Sequence, residues 1–279
     1  MDRNIGHRLI VGTPILMYHA FGASTEQGSR YVIPASRFAR QMAWLKRMSY
    51  RVISLEEYCR SRLKGSLPPR RSVVITMDDG YADNWTVAYP ILRRHGFRAV
   101  VFVVSGQIGG TYHSHIHSEL DGRLMLSWSQ IQTLALGGVE IGAHTRTHPD
   151  LTKIPLEQAR KEIEDSRIEL EEKVGVPIRV ISYPFGRYNR EVQIRVEKGG
   201  FLSSCSVNTG LNTPITPLLA LRRVEIYGTD SLLDFAIAVT FGERRESLIR
   251  NLKSFVTRPV GRSFWRQVRE SGPNTRTCQ

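Results

Sequence analysis

Short apolar runs that alternate with helix-patterned segments constrain this 279-residue chain more than any other feature. Pro14–His19, Ser72–Met77, Ala99–Val104, Val139–Ala143, Ile178–Ser182 and Phe201–Ser206 read as strands, with shorter candidates at Val52–Ser54 and Leu221–Ile226. Helical spacing marks Ser36–Met48, Leu55–Leu63, Ala82–His95, Ser127–Leu136, Pro155–Val174 and Asn189–Lys198. Within Pro155–Val174, Leu156, Ala159, Ile163, Leu170 and Val174 share one stripe, with charges elsewhere. Ser72–Met77 is nearly continuous in apolar character, as expected of a parallel strand covered on both faces. Strands separated by helices favour a parallel sheet with helical crossovers. Seven or eight such units predict an α/β fold, an irregular (β/α)7–8 barrel, with residues 1–242 forming one domain.

In barrels of this kind chemistry gathers at the C-terminal ends of the strands. His19, Asp78-Asp79, His144 and Pro184-Phe185 all fall there. Asp78 and Asp79 follow an apolar run and precede Gly80, which lets the chain turn and bring both carboxylates to one rim. The pair also reads as a polar strand end or a helix N-cap. His144 and His148 are four apart, a spacing that suits two neutral imidazoles on one metal. Adding Asp79 gives a two-histidine, one-carboxylate face with open positions, fit for Zn²⁺ and equally for Fe²⁺, Co²⁺ or Mn²⁺. A carboxylate left over beside such an ion is the minimum equipment of a metal-assisted hydrolase. His113, His115 and His117 alternate in a long polar loop, Gly106–Arg123, and are read as an adventitious cluster on a wall of the cleft. Trp128 and Trp85 are candidates for stacking on a sugar face, against ordinary packing.

At these motifs the chain resembles the polysaccharide deacetylase superfamily, of the carbohydrate esterase family 4 type. Its Thr-Phe-Asp-Asp-Gly motif is matched by Thr76-Met77-Asp78-Asp79-Gly80. Its His-Ser/Thr-x-x-His motif is matched by His144-Thr145-Arg146-Thr147-His148, with Glu140-Ile141-Gly142-Ala143 before it and Pro149 and Leu151 after. The resemblance runs from about Pro14 to Ile226. It implies an irregular barrel and a divalent metal, usually zinc, held by Asp79, His144 and His148, with Asp78 as general base. The family's Arg-x-Pro-Tyr/Phe motif corresponds to Ser182-Tyr183-Pro184-Phe185. The resemblance therefore places Tyr183 and Pro184 against substrate and makes the Phe185 backbone N–H an oxyanion donor.

Two departures stand out. Ser182 replaces an arginine that steadies the catalytic Asp in many members, and no histidine follows position 148 to supply the usual late general acid. A subgroup acting on poly-N-acetylglucosamine places the equivalent histidine early, in a Tyr-His context like Tyr18-His19. His19 is accordingly assigned as the acid, and Arg223 or Arg222 as the replacement arginine. The implied activity is removal of N-acetyl groups from N-acetylglucosamine-containing glycans during polysaccharide synthesis or modification. A non-catalytic glycan- or membrane-binding barrel, or an amidohydrolase of a small molecule, would share the same ligand set.

The net charge is +13, and residues 243–279 hold nine basic residues against three glutamates, with Phe255, Phe264 and Trp265 interleaved. This basic C-terminal extension is expected to be a solvated tail or to touch an anionic membrane surface, and no nucleic-acid partner is expected. The three cysteines, Cys59, Cys205 and Cys278, are odd in number and widely spaced, which predicts free thiols. No export signal is legible in Met1–Leu9, so a cytoplasmic or cytoplasmic-membrane-face location is the expectation.

Overall fold

The structure is a computed structural model and describes residues 12–22, 29–66, 68–113 and 119–249. Its first half runs β1 (Ile15–Tyr18), β2 (Ala20–Gly22), β3 (Val32–Pro34), α1 (Ala35–Arg47), β4 (Arg51–Val52), α2 (Leu55–Leu63), β5 (Ser72–Met77), α3 (Tyr89–His95) and β6 (Val100–Val103). The second half runs α4 (Trp128–Leu136), β7 (Glu140–Ala143), α5 (Leu156–Val174), β8 (Val180–Ser182), α6 (Arg190–Lys198), β9 (Ser203–Cys205), β10 (Val224–Glu225) and α7 (Leu232–Phe241).

The main sheet has the order β10-β1-β5-β6-β7-β8-β9, with β4 added to the start of β5, and every ladder in it is parallel. The segment through Leu221 joins its two ends. Leu221 bridges Cys205 of β9, and Val224–Glu225 pair with Leu16–Met17 of β1. The expected barrel is therefore present as a curled parallel sheet whose ring is spanned by a single bridge. A second sheet, β2 with β3, is also parallel and was not anticipated; its strands are three residues each, too short for a periodic signal.

Alternation along the strands of the main sheet sorts their apolar side chains into two cores. Leu16, Val73, Ile75, Met77, Val101 and Val103 belong to the larger cluster, which also takes the buried stripes of α1 and α5. Ile15, Val74, Val100, Phe102, Val180 and Cys205 belong to the inner one, with Leu55, Tyr58 and Cys59 of α2. Successive residues of a strand face opposite sides, so one strand feeds both cores.

Local chemistry explains most element ends. Ser54, Ser127 and Asn189 accept backbone N–H groups at the starts of α2, α4 and α6, and Gln130 completes a capping box with Ser127. Gly96 and Gly175 close α3 and α5 in the left-handed conformation, at φ 65° and 76°. The helix expected over Ala82–His95 differs in form: Asn84–Ala88 is a π-helical turn, and the α-helix proper begins at Tyr89. Pro90 lacks the N–H that an α-helix would donate to Thr86, which breaks the regular ladder at that point. The stripe expected on α5 is also impure, because Glu162 lies buried on it.

The chain divides into two units after Glu243. Residues 245–249 are helical, and residues 250–279 of the basic extension lie outside the described residues, as do His115, His117 and Cys278. The membrane contact expected of that extension therefore has no structural counterpart here, and among the described residues no helix is long and apolar enough to cross a membrane. Cys59 and Cys205 are free and buried, and burial pushes both thiols up to about 12, which leaves them protonated and unreactive at neutral pH.

Candidate active site

The parallel register aligns the strand ends. Tyr18 lies beside Met77, Val103 beside Ala143 and Ser182 beside Cys205. The next residues, His19, Asp78-Asp79, His144 and Tyr183, consequently share one rim. A cleft of about 250 Å³ opens there, lined by His19, Asp78, Asp79, His144, His148, Tyr183 and Phe185 among others.

The inward-facing rows carry apolar residues at one end of the barrel and polar residues at the other. Val74 is followed on its face by Thr76 and Asp78, Val180 by Ser182, and Leu221 by Arg223. Arg223 is 1% exposed. Its Nε donates to the Ser206 carbonyl at 2.9 Å, Nη1 to Thr76 Oγ1 at 3.2 Å and Asp78 Oδ1 at 2.6 Å, and Nη2 to Asp78 Oδ2 at 2.7 Å and Ser182 Oγ at 2.9 Å. An arginine has five N–H donors in a fixed fork, and all five are used. Burial pushes the Asp78 carboxyl up, but the Arg223 guanidinium, together with His144 and His19, holds it below the usual carboxylate range. Ser182, which stands where an arginine was expected, donates to the same carboxylate at 3.3 Å. Arg222, the other candidate, is exposed on the opposite face of its extended segment.

Asp79, His144 and His148 form the second half of the site. Asp79 Oδ1 lies 3.4 Å from His144 Nε2 and 3.6 Å from His148 Nε2, and the two Nε2 atoms are 3.2 Å apart. Ligands about 2.0–2.2 Å from a tetrahedral zinc are ~3.3–3.5 Å from one another, so these donors fit one such ion. His144 Nδ1 hydrogen-bonds the Ser182 carbonyl at 2.8 Å, which leaves Nε2 free to coordinate, the arrangement usual for an imidazole that binds a metal. Burial, and then the neighbouring His144, lower His148 to about 4, so its ring is neutral at pH 7. Burial acts against the charge on Asp79, yet hydrogen bonding to His144 holds its carboxyl well below the usual range. Burial likewise opposes protonation of His144, but the Asp79 carboxylate raises its pKa overall. An anionic carboxylate and imidazole nitrogens converging in a buried pocket are the donor set of a divalent transition metal.

Backbone strain concentrates in this place. Among the described residues six non-glycines have positive φ, and four of them are Asp79, Thr145, His148 and Phe185, at 71°, 64°, 63° and 57°. Such conformations cost about 1–3 kcal/mol each and persist only where the surroundings impose them. Phe185 packs its ring against His148, with centroids 4.8 Å apart, while remaining 49% exposed.

Three expected substrate contacts, Trp128, Trp85 and Pro184, lie outside the cleft lining. Trp128 starts α4 and packs against the larger core, and Trp85 stacks on Tyr89 with ring centroids 5.1 Å apart. Neither lines the cleft, and nor does Pro184, although its neighbours Tyr183 and Phe185 do. Arg30, Tyr31, Tyr112, Leu120, Val207 and Glu225 line it instead. Glu225 was open to detection, since it lies two residues beyond Arg223 on the same strand face. Arg30 and Tyr31 come from the segment before β3, where no periodicity marks them. Arg30 pairs with Glu225 at 2.9 Å and lies over the Tyr227 ring at 4.5 Å.

Residues 66–202 match the family model described as polysaccharide deacetylase. The chain is 30% identical over 213 residues to YxkH of Bacillus subtilis, described as a polysaccharide deacetylase, spanning 76% of this chain and 71% of that protein. It is 27% identical over 203 residues to a poly-β-1,6-N-acetyl-D-glucosamine N-deacetylase of Staphylococcus aureus, spanning 70% and 67% of the two chains. Among solved structures, the deacetylase PplD of Streptococcus pyogenes, in complex with acetate, superposes with a TM-score of 0.73 at 27% identity, over 82% of this chain and 98% of that one. With a relative at 30% identity over most of both sequences, and with the motif residues converging on one rim, the chain belongs to the polysaccharide deacetylase family.

Proposed function

We propose that the protein is a metal-dependent hydrolase that removes N-acetyl groups from N-acetylglucosamine-containing glycans. The observation that carries this reading is the pairing of two sub-sites on one rim: three ligand atoms 3.2–3.6 Å apart, and beside them a carboxylate clamped by Arg223. The names of the S. aureus and S. pyogenes relatives support the substrate class and the reaction. A cleft of about 250 Å³ is at the small end for ligand sites and suits a single sugar residue above the ligand atoms.

Asp79, His144 and His148 hold the cation, most suitably Zn²⁺. A cation so held supplies Lewis acidity, polarising the acetamide carbonyl and acidifying water. Asp78 lies next to that position and accepts a proton from the attacking water as its oxygen bonds to the acetyl carbon. Arg223 and Ser182 keep the Asp78 carboxylate ionised and aimed. The Phe185 backbone N–H donates to the oxygen that gains charge. His19 delivers a proton to the sugar nitrogen as the C–N bond breaks, so that acetate and a free amine leave.

Acetate release from N-acetylated β-1,6-glucosamine and chito-oligosaccharides tests the proposal. Turnover with added Zn²⁺ or Co²⁺ is the expected result. Folded, metal-loaded protein that releases no acetate from either substrate rejects it.

A further inference from the structure

His144 and His148 are held apart by only three residues, and that short loop is an unfavourable structure on its own. Thr145 and His148 both adopt left-handed backbone at φ 64° and 63°, where a side chain is strained. The loop must be gripped from outside to keep the two imidazoles 3.2 Å apart.

The grip comes from two sides. On one side lies Glu162, a carboxylate on the apolar stripe of α5 that is only 8% exposed. Glu162 Oε2 accepts the backbone N–H of Arg146 at 2.9 Å and of Thr147 at 2.8 Å, and Oε1 accepts the Thr147 hydroxyl at 2.7 Å. On the other side, the backbone beyond β6 donates to the same loop: Ser105 N–H to the Thr145 carbonyl at 3.2 Å and Gly106 N–H to the Arg146 carbonyl at 2.8 Å. The approach at Gly106 is so close that a Cβ there would lie 2.6 Å from the Arg146 oxygen. Helix α5 also sets this second support, because Glu169, two turns further on, accepts the Ser105 hydroxyl at 2.6 Å.

A buried carboxylate whose neighbours are apolar is costly unless it is bonded. Among the described residues, the hydrogen bonds of the Glu162 carboxylate all go to the loop between the two histidines. Its cost in the helix is offset by the loop's order, and the loop's order is the spacing of two ligand atoms. We infer that Glu162 is a positioning residue for the metal site, acting through the Arg146–Thr147 peptide to preset the two imidazoles for a single cation. This inference rests on the reading of Asp79, His144 and His148 as metal ligands.

The test is Zn²⁺ affinity of the full-length, metal-stripped chain, measured by competition with a chromophoric chelator, together with circular dichroism and thermal midpoints. The wild type must bind about one Zn²⁺, and H144A must not. Absence of wild-type binding overturns the metal-site reading and the inference with it. Glu162→Leu keeps the stripe apolar and deletes every acceptor, and the expected result is a 10- to 100-fold loss of affinity with the fold retained. Glu162→Gln keeps an oxygen for the two amides and can donate to Thr147 Oγ1, so its affinity should stay within about threefold of wild type. If the wild type binds and the folded Leu variant binds equally well, the inference is overturned while the metal site stands. Should the Leu variant fail to fold, Thr147→Val removes one hydroxyl from the same contact, and a two- to fivefold loss is expected, with parity overturning the proposal. A purely structural glutamate would lower the thermal midpoint and leave Zn²⁺ affinity unchanged.

Discussion

Arg223 and Asp78 are 145 positions apart in the chain and meet as a bidentate ion pair, at 2.6 and 2.7 Å. The pair is buried on both sides, with side-chain exposures of 0% and 5%. Removing one partner leaves the other charge buried and unbalanced. Arg223→Met is therefore expected to cost about 3–5 kcal/mol of stability and to lower acetate release at least 100-fold. Arg223→Lys should recover part of the stability but little activity, since one ammonium cannot reproduce five donors in a plane. Urea unfolding and acetate assays check both, and a stable, fully active Met variant would show that the clamp is dispensable.

The two adjacent carboxylates should separate cleanly by substitution. Asp78→Asn is expected to slow turnover about 10²–10⁴-fold, the usual worth of a general base, while Zn²⁺ still binds. Asp79→Asn should lose most of the Zn²⁺ as well as the activity. Loss of metal in the Asp78 variant would contradict this division of duties.

His19 lines the cleft, and Asn84 Nδ2 donates to its backbone carbonyl at 2.9 Å. His19→Gln should retain Zn²⁺ affinity and the thermal midpoint but lose about 10²–10⁴-fold in acetate release from an N-acetyl substrate. An acetate ester, whose leaving oxygen needs less help from a proton, should lose less. Equal losses on amide and ester would remove the acid role from His19.

Chelation should abolish acetate release, and added Zn²⁺ or Co²⁺ should restore it. Because the ion binds the folded chain, a metal concentration 100 times Kd should also stabilise the protein by about 2.7 kcal/mol. A thermal midpoint that does not move with Zn²⁺ would count against a resident cation.

Glu140 gives a pH dependence that lies away from the ligands. It accepts the backbone N–H groups of Leu55 and Glu56 at 2.8 and 3.2 Å, but burial outweighs those bonds and pushes its carboxyl from the ordinary 4.5 to about 7. Between these values the folded chain keeps a proton that the unfolded chain releases. Its stabilising contribution is therefore full below about pH 4.5 and is lost as pH rises to about 7, at about 1.4 kcal/mol per unit of separation. Glu140→Gln does not titrate, so its thermal midpoint relative to wild type should rise from pH 5 to pH 8. A difference that is flat with pH would show that Glu140 is ionised throughout.

Much of this was legible because it is local. Ser72–Met77 is legible as a strand from composition, Asn189–Lys198 as a helix from spacing, and His144 with His148 as a pair of candidate ligands from their separation. The π-turn at Asn84–Ala88 was hidden because helical periodicity does not report which carbonyl each N–H finds. Trp128 was read as a sugar platform because an aromatic side chain has the same sequence signature whether it lines a cleft or packs in a core. Glu162 escaped notice because charges on α5 were expected to face solvent, and one of them instead faces a loop from another part of the chain.

By itself the sequence determined the alternation of strands and helices, the rim positions of His19, Asp78-Asp79 and His144, and the carboxylate and imidazole donor types of Asp79, His144 and His148. These follow from periodicity, strand length and donor chemistry, all of which act over a few residues. Tertiary structure placed Arg223, and not Arg222, against the Asp78 carboxylate 145 residues away, and brought Glu162 under the histidine loop. Those outcomes depend on strand order, on the Leu221 bridge that joins the two ends of the sheet, and on which face each strand turns inward. Contacts between distant segments are set by how the sheet curls on itself, and no local pattern encodes that curl.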